Sequence, residues 1–486
     1  MKVAMFGADF KLGISNIKTI TIRKNSKYIF SDFVLKQFVD DIVKKQGIDI
    51  AKRVVKSIEE IDSIFPILNL GDSIEDLKQI NSLIIIRTGG IGDLLALSNV
   101  AKLTTHIFRD VLKNSKFKVF FITDKKYSAV FRYFEQMVTP IYYFFEPVDK
   151  ILRDFNIFGT KHVRCIYFEG VIEEREDNWF DLQMERLNLR KFKLLDQIDK
   201  SYLIKNPKLI NSFDNGSTSN LFIKKNNIED ISNIFTDIKK KDIKTILIHH
   251  RASAWIRSFN LGDTILSLDE YFKANNFDNY RIITLPRNYT KGDNDFILNL
   301  SKTNEKLHEK LLQLKTDNLH QFFYIIAKSN YVISSDTAAF HFKEGIGGSG
   351  LGLYSSFPSR MRTKTYIHTN SYDIVYPDCE FVCDKENYIG CTSHFKTPYE
   401  ICTHVAKKYK DLLKSDHHFL RGNRIPNKEF VADLENFVEK IGIDSLMEQG
   451  IFQYAPCLSS LWNTTFHGQL VKIYDNEKLI DQLNSN

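Results

Sequence analysis

The sequence predicts an α/β protein with two parallel-sheet domains, and three observations carry that prediction. Short β-branched runs recur along the chain, each stops at a glycine or polar cluster, and text of helical spacing follows. The sharpest instance is Leu83-Ile84-Ile85-Ile86-Arg87-Thr88-Gly89-Gly90-Ile91-Gly92-Asp93-Leu94-Leu95. Its apolar run reads as a buried parallel strand, its glycines as a turn where backbone approaches a ligand, and Leu94 to Leu103 as the opening of a helix. A second instance, Tyr331-Val332-Ile333-Ser334-Ser335-Asp336-Thr337-Ala338-Ala339-Phe340-His341, runs an apolar strand into a polar cluster that can cap a helix. Two such signals far apart predict two Rossmann-like domains facing one cleft, with extra N- and C-terminal segments.

At 486 residues the chain exceeds what a single core usually serves. The expected division is an accessory module over 1–80, a first Rossmann-like domain over 81–240, a second over 241–415 and an extension over 416–486. An apolar fraction of 43% with 13% aromatics excludes a disordered chain. No apolar stretch approaches the roughly 20 residues that span a bilayer, and the N-terminus lacks a signal-peptide pattern, so a cytoplasmic location is expected. A net charge of +7 suits an anionic partner, whether phosphate, acidic glycolipid or nucleic acid. Runs such as Lys239-Lys240-Lys241 are equally what a solvated face looks like. Six cysteines in so long a chain do not make a disulfide framework.

Taken in order, residues up to about 80 lack the strand–helix rhythm. Thr19 to Ile29 reads as a hairpin, and Asp32 to Glu60 has helical spacing, with Phe33, Leu35, Phe38, Val39, Ile42 and Val43 as an apolar face. Beyond Leu83, Lys118–Thr123 is a second strand with a helix from about Tyr127, Arg164–Phe168 a later strand, and Asn178–Leu187 a helix. The polar stretch Asn206–Lys240 fits a connection between domains. A new series starts at Thr245–His250 and continues through Tyr280–Leu285, Tyr331–Ser334 and Gly350–Tyr354. After about Ser415 the rhythm is lost.

In open α/β sheets ligands bind beyond the carboxyl ends of the strands, so the residues after each apolar run matter most. These are Gly89 to Asp93, Arg251 to Arg257, Pro286-Arg287 and Asp336 to His341. One domain offers glycines and an acid; the other offers arginines, hydroxyls and a helix start. The glycines alone also open dinucleotide folds, and the hydride-cofactor pattern is incomplete here, since Asp124 falls later than the acidic ribose ligand expected about 20 residues past the glycines.

Arg87, Gly89, Gly90, Gly92, Asp93 and Leu94, paired with Asp336, Thr337, Ala338 and His341 and with the loop holding Ser253 and Arg257, resemble the heptosyltransferase-like glycosyltransferases, glycosyltransferase family nine. The resemblance covers about Asn81 to Lys408. It departs from the family's Asp-Thr-Gly at Ala338 and matches the basic loop only loosely. It implies a GT-B protein, an inverting transferase whose C-terminal domain holds a nucleotide-diphosphate sugar, ADP-linked and heptose-like, and whose N-terminal domain holds the acceptor. It implies no required cofactor. Asp93 is then the catalytic base, and Gly90, Gly92, Ser253, Arg257, Asp336, Thr337, Ala338 and His341 contact the donor. The chemistry is coherent: a leaving diphosphate needs preorganised donors such as Arg257 and the helix N–H groups near Thr337 and Ala338, and an attacking hydroxyl needs a base. The implied acceptors are a lipopolysaccharide core, a protein or, as in virus-encoded base-modifying enzymes, hydroxymethylated DNA.

Each residue also has a plainer role. Asp93 and Asp336-Thr337 can be helix caps, His341 an interior histidine, and Arg251, Arg257, Arg360 and Arg362 surface charges, with Trp255 in the core or a stacking surface. Cys379, Cys383, Cys391 and Cys402, near His394 and His404, form the one concentrated metal candidate, though only Cys379 and Cys383 have tight spacing. Some protein-modifying relatives hold a structural metal at a comparable place; reduced buried thiols are the alternative. From a different class, a non-catalytic nucleotide-binding assembly protein also fits, and a nicotinamide oxidoreductase is a distant third.

Overall fold

The computed structural model describes residues 2–14, 17–30, 32–65, 68, 73–87, 90–123, 125–133, 138–142, 148–154, 162–167, 220–252, 258–354, 359–363, 366–374 and 464–485. They fall into two compact units, the first holding the described residues up to 167 and the second those from 220 onward. Serine 253 and Arg257, Trp255, the helix expected over 178–187, and the group Cys379, Cys383, Cys391 and Cys402 with His394 and His404 lie outside the described residues.

The first unit opens with β1 (Lys2–Phe6), β2 (Phe10–Ile14), β3 (Ile17–Ile22) and β4 (Lys27–Phe30), then α1 (Asp32–Gln46), α2 (Ile48–Val54) and β5 (Val55–Glu60). Strand β1 is central to an antiparallel sheet of order β4-β1-β5, and β2 pairs with β3. The hairpin expected over Thr19–Ile29 is thus displaced: its first arm turns back on Phe10–Ile14, and its second joins β1. The helix expected to reach Glu60 ends at Val54. Val55–Glu60 instead alternates half-buried and exposed residues, the period of a strand, and pairs with β1.

Next come α3 (Ile74–Gln79), β6 (Ser82–Ile86), α4 (Ile91–His106), β7 (Lys118–Thr123), α5 (Ser128–Phe131), β8 (Val138–Tyr142), α6 (Val148–Asp154) and β9 (Val163–Tyr167). Strands β8-β7-β6-β9 form a parallel sheet. Strand β8 escapes a sequence reading because Pro140 interrupts it, and proline is tolerated there because β8 is an edge. Val3, Phe6, Tyr28 and Phe30 share one core with Ile84, Ile86, Phe120 and Ile122, so the first 60 residues are packed onto the parallel sheet.

The second unit begins with α7 (Asn220–Lys225) and α8 (Glu229–Lys240), where the sequence suggested a connection. Ile231 and Phe235 of α8 are buried, and Phe235 meets Tyr324 edge-on, so an apolar stripe at helical spacing was hidden among charged residues. There follow β10 (Lys244–His249), α9 (Leu261–Ala274), β11 (Tyr280–Thr284), α10 (Lys291–Thr303), α11 (Glu305–Lys310), β12 (Leu311–Gln313), α12 (Leu319–Lys328), β13 (Tyr331–Ser334), α13 (Ala338–Gly345), β14 (Ser349–Tyr354), α14 (Arg360–Thr363) and β15 (Thr369–Asp373). Helices α15 (Thr464–Asn476) and α16 (Leu479–Ser485) complete the unit.

The strand order is β12-β11-β10-β13-β14-β15, all parallel. Numbered by chain order within the sheet this is 3-2-1-4-5-6, the Rossmann order, whose switch point lies between β10 and β13. Alternate strand residues Ile246, Ile248, Ile282, Ile333 and Leu351 pack against Leu261, Ile265 and Leu268 of α9 and against Phe466, Leu470 and Tyr474 of α15. The far end of the chain therefore belongs to this core, and Tyr372 of β15 donates a 2.6 Å hydrogen bond to Glu477. Among the described residues no helix is long and apolar enough to cross a membrane.

A buried lysine sits in this framework. Lys343 of α13 donates to the carbonyls of Ser329 (2.6 Å) and Ile326 (3.3 Å) near the end of α12, and burial lowers its pKa to about 7. The unfolded chain then binds more protons than the native state between that value and the ordinary lysine value near 10.4, so this group makes stability rise with pH across the window. Thermal unfolding of the wild type should show that rise, and Lys343→Met should flatten it. Parallel profiles for the two proteins would contradict the assignment.

Candidate functional site

At the carboxyl edge of the second sheet, His249 closes β10 and Ser334 closes β13, and the two residues are paired in register. Crossovers that leave toward opposite faces from two such neighbours open a crevice beyond their ends. The local sequence fills it with polar groups. Thr337 is the N-cap of α13, its Oγ1 accepting from the Ala339 N–H (3.3 Å). The same oxygen lies 3.1 Å from His249 Nδ1 and 2.8 Å from Ser334 Oγ. Ser334 Oγ also lies 3.3 Å from the His249 carbonyl, so the first and fourth strands are bridged across the switch point.

His249 is buried, and burial, assisted by the neighbouring His250, pushes its pKa down to about 3. It is a neutral imidazole at physiological pH, one nitrogen on Thr337 and Nε2 3.4 Å from Asn288 Nδ2. Ser335 Oγ, wholly buried beside this bridge, has no hydrogen-bond partner among the described residues. A helix start carries N–H groups without intrahelical acceptors and a partial positive charge, so the crevice is chemically suited to an anion.

Behind the cap lies a second set. Asp336 Oδ1 is 3.2 Å from His341 Nε2 and accepts from Tyr354 OH at 3.3 Å; His341 Nδ1 is 2.5 Å from Tyr366 OH. Asp336, His341 and Tyr354 are buried. The segment bearing Tyr366 is fixed by Glu344, whose carboxylate accepts from the backbone N–H groups of Ile367 (2.9 Å), His368 (3.1 Å) and Thr369 (2.8 Å). His341 therefore lies between a carboxylate and a phenol, which fixes the ring at both nitrogens. Of the two arginines of α14, Arg362 is buried and Arg360 is exposed.

A third cluster begins where β10 ends. Asp293 Oδ2 accepts from Thr290 N (2.7 Å) and Thr290 Oγ1 (2.7 Å), and lies 3.2 Å from His250 Nε2 and 3.8 Å from an Arg251 guanidinium nitrogen. Burial opposes ionisation, but the bonds from His250 and Thr290 carry the Asp293 pKa down to about 2. In the sequence His249 and His250 read only as the end of a strand; two adjacent histidines closing an apolar run are the signal that could have marked this cluster. Nothing in the spacing marked Asp293, Asn288 or Tyr366.

In the first unit, the turn after β6 carries the other predicted acid. Asp93, in the first turn of α4, accepts at Oδ2 from the Gly90 N–H (3.1 Å) and from Arg87 NH2 (2.6 Å). The Arg87 side chain is 5% exposed and that of Asp93 29%, so a buried guanidinium holds a carboxylate that still reaches solvent. Gly90 is exposed, and Gly92 lies in the first turn of α4. The structure thus places Asp336, Thr337, Ala338 and His341 together in the second unit and Gly90, Gly92 and Asp93 together in the first. Among the described residues no group of three His, Cys, Asp or Glu side chains is arranged to hold a metal ion.

No family model matches the chain, and no curated protein matches it either. Among solved structures it is similar to a family 9 glycosyl transferase from Veillonella parvula, at 10% identity and TM-score 0.41, covering 74% of this chain and 97% of that one. It is also similar to the iron-containing dodecameric glycosyltransferase TibC from enterotoxigenic E. coli, at 10% identity and TM-score 0.37, covering 90% and 91%. A third similarity is to E. coli heptosyltransferase WaaC with ADP, at 11% identity and TM-score 0.35, covering 68% and 98%.

The bridge itself is testable. Thr337→Val removes the cap and the contact to His249 together and should cost about 1 kcal/mol in urea unfolding, while Thr337→Ser should retain most of it. Equal stability of wild type and the valine variant would show that the Thr337 hydroxyl is not holding the start of α13.

Proposed function

We propose that this chain is a glycosyltransferase that moves a sugar from a nucleotide-diphosphate donor to an acceptor hydroxyl with inversion. The observation that carries this reading is the His249–Thr337 bridge at the β10/β13 switch point, 3.1 Å long, with a helix start and a buried serine hydroxyl beside it. An α/β sheet of this order receives nucleotide phosphates at that place, and the glycine-and-acid turn after β6 supplies a base of the kind the motif resemblance implies.

In this reaction the acceptor oxygen bonds to the anomeric carbon as the bond from that carbon to the diphosphate oxygen breaks. The electron pair leaves on the phosphate, and the hydroxyl proton passes to Asp93, then to water. General-base assistance of this kind contributes about 10² to 10⁴ in rate. The leaving diphosphate gains charge as the bond breaks, and the Ala338 N–H at the start of α13 is the group preorganised to receive it, the Ala339 N–H being held by Thr337 Oγ1; Ser253 and Arg257 join it by the motif resemblance. The alanine at 338, where the resemblance has glycine, narrows backbone access to that phosphate by one methyl. An ADP-linked, heptose-like sugar is the donor favoured by the motif resemblance, with a lipopolysaccharide core, a protein or hydroxymethylated DNA as acceptor.

A second reading, a nucleotide-binding protein without turnover, draws on the bond from Gly90 N–H to Asp93, which is what a helix-starting acid would make. Thermal-shift titrations with ADP, GDP, UDP, CDP and NAD separate the possibilities, because a ligand at 100 times its Kd stabilises the native state by about 2.7 kcal/mol. Selective stabilisation by one nucleoside diphosphate is expected; a response to NAD alone, or to none, would remove the donor site. Asp93→Asn should abolish turnover while leaving the nucleotide shift intact, and an unchanged turnover would remove Asp93 as the base.

A further inference from the structure

We infer that Arg87 is the positioning residue of the catalytic base, holding Asp93 by one oxygen so that the other is presented to the acceptor. This rests on the transferase reading above and deepens it. The two carboxylate oxygens of Asp93 have different surroundings. Oδ2 receives both the Arg87 guanidinium at 2.6 Å and the Gly90 N–H at 3.1 Å. Oδ1 makes no hydrogen bond among the described residues, and the side chain is 29% exposed, so this oxygen is the one open to a hydroxyl.

Arg87 is suited to the task by its place in the fold. It directly follows β6, the strand between β7 and β9, and its backbone N–H donates to the Ile122 carbonyl at 3.3 Å, extending the β6/β7 pairing by one residue. Its side chain is buried, so the guanidinium arrives from the sheet rather than from solvent. A planar, permanently charged donor anchored in this way fixes the position of the carboxylate, which a flexible surface lysine would not. The Gly90 N–H sets the second direction. Helix start and catalytic base are then two functions of one side chain, divided between its two oxygens.

The test compares Arg87→Ala, Arg87→Lys and Asp93→Asn in the full chain, with two readouts. One is nucleoside diphosphate release from a panel of ADP-, GDP-, UDP- and CDP-sugars, with water taking the glycosyl group in place of the acceptor hydroxyl; the other is the thermal shift given by the free nucleoside diphosphates. Arg87→Ala should lose about 10²-fold in kcat, the loss typical of a misplaced reacting group, with the nucleotide shift unchanged. Arg87→Lys should recover part of that loss, and guanidinium ion added at millimolar concentration should restore turnover to Arg87→Ala and not to Asp93→Asn. Full turnover by Arg87→Ala while Asp93→Asn is inactive would overturn this inference and leave the transferase reading standing. Loss of turnover and nucleotide shift together, with no rescue by lysine or guanidinium, would assign Arg87 to the fold alone and overturn it as well. No turnover of any sugar nucleotide by the wild type would overturn both.

Discussion

The parallel pairing of β10 with β13 is the constraint on which the second unit depends. These strands are adjacent in the sheet, with β11 and β12 outside β10 and β14 and β15 outside β13. Chain connections therefore diverge at this pair, the arrangement that places a crevice beyond the strand ends in open α/β sheets. Ile246 to His249 run beside Tyr331 to Ser334 in register, so any slip would move His249 away from Thr337 and flip alternate apolar residues to the wrong face. The buried runs on both strands make such a slip costly, which is how an apolar core comes to dictate a polar geometry at its edge.

The same logic governs the polar residues that the core encloses. Buried polar groups are costly unless paired, and several such pairings serve helix α13 or the segments beside it. Thr337 caps its start, Lys343 ties it to the end of α12, Glu344 fastens the backbone leading into β15, and His341 links Asp336 with Tyr366. Gly352 shows how tightly this helix is seated: a Cβ there would lie 2.7 Å from the Phe340 ring, so strand β14 needs a glycine where α13 crosses it. A helix held at so many points presents its N-terminal N–H groups in a fixed direction, the property an anion site requires.

Much of this was legible in the sequence because most inner strands of the two parallel sheets are short, predominantly apolar runs. Strands β6, β7, β10, β11, β13 and β14 fall where those runs predict them. In the two parallel sheets the strands missed were edges, whose composition is freer: β8 contains Pro140, β12 is short, and β15 reads Thr-Asn-Ser-Tyr-Asp; in the first 60 residues the central strand β1 was also missed and β5 was read as helix. The turn after β6 and the cap after β13 were visible as motifs because glycine and Asp-Thr have specific backbone uses. Partners drawn from other elements were not visible: Asp293 reaches His250 from 43 residues away and Tyr366 reaches His341 from 25, and no local period encodes such distances. At Asp93 the helix contact uses Oδ2 alone, and among the described residues Oδ1 makes no hydrogen bond, so a capping contact leaves one carboxylate oxygen for the proposed role.

The most direct measurement of the central claim is amide hydrogen exchange, read by mass spectrometry, with and without saturating ADP. The account predicts slowed exchange in peptides covering residues 249–252 and 334–341, at the two strand ends of the β10/β13 switch point, with Thr337→Val weakening the effect. Protection confined to the turn over 87–93, or exchange indifferent to the nucleotide, would contradict a donor site at that switch point.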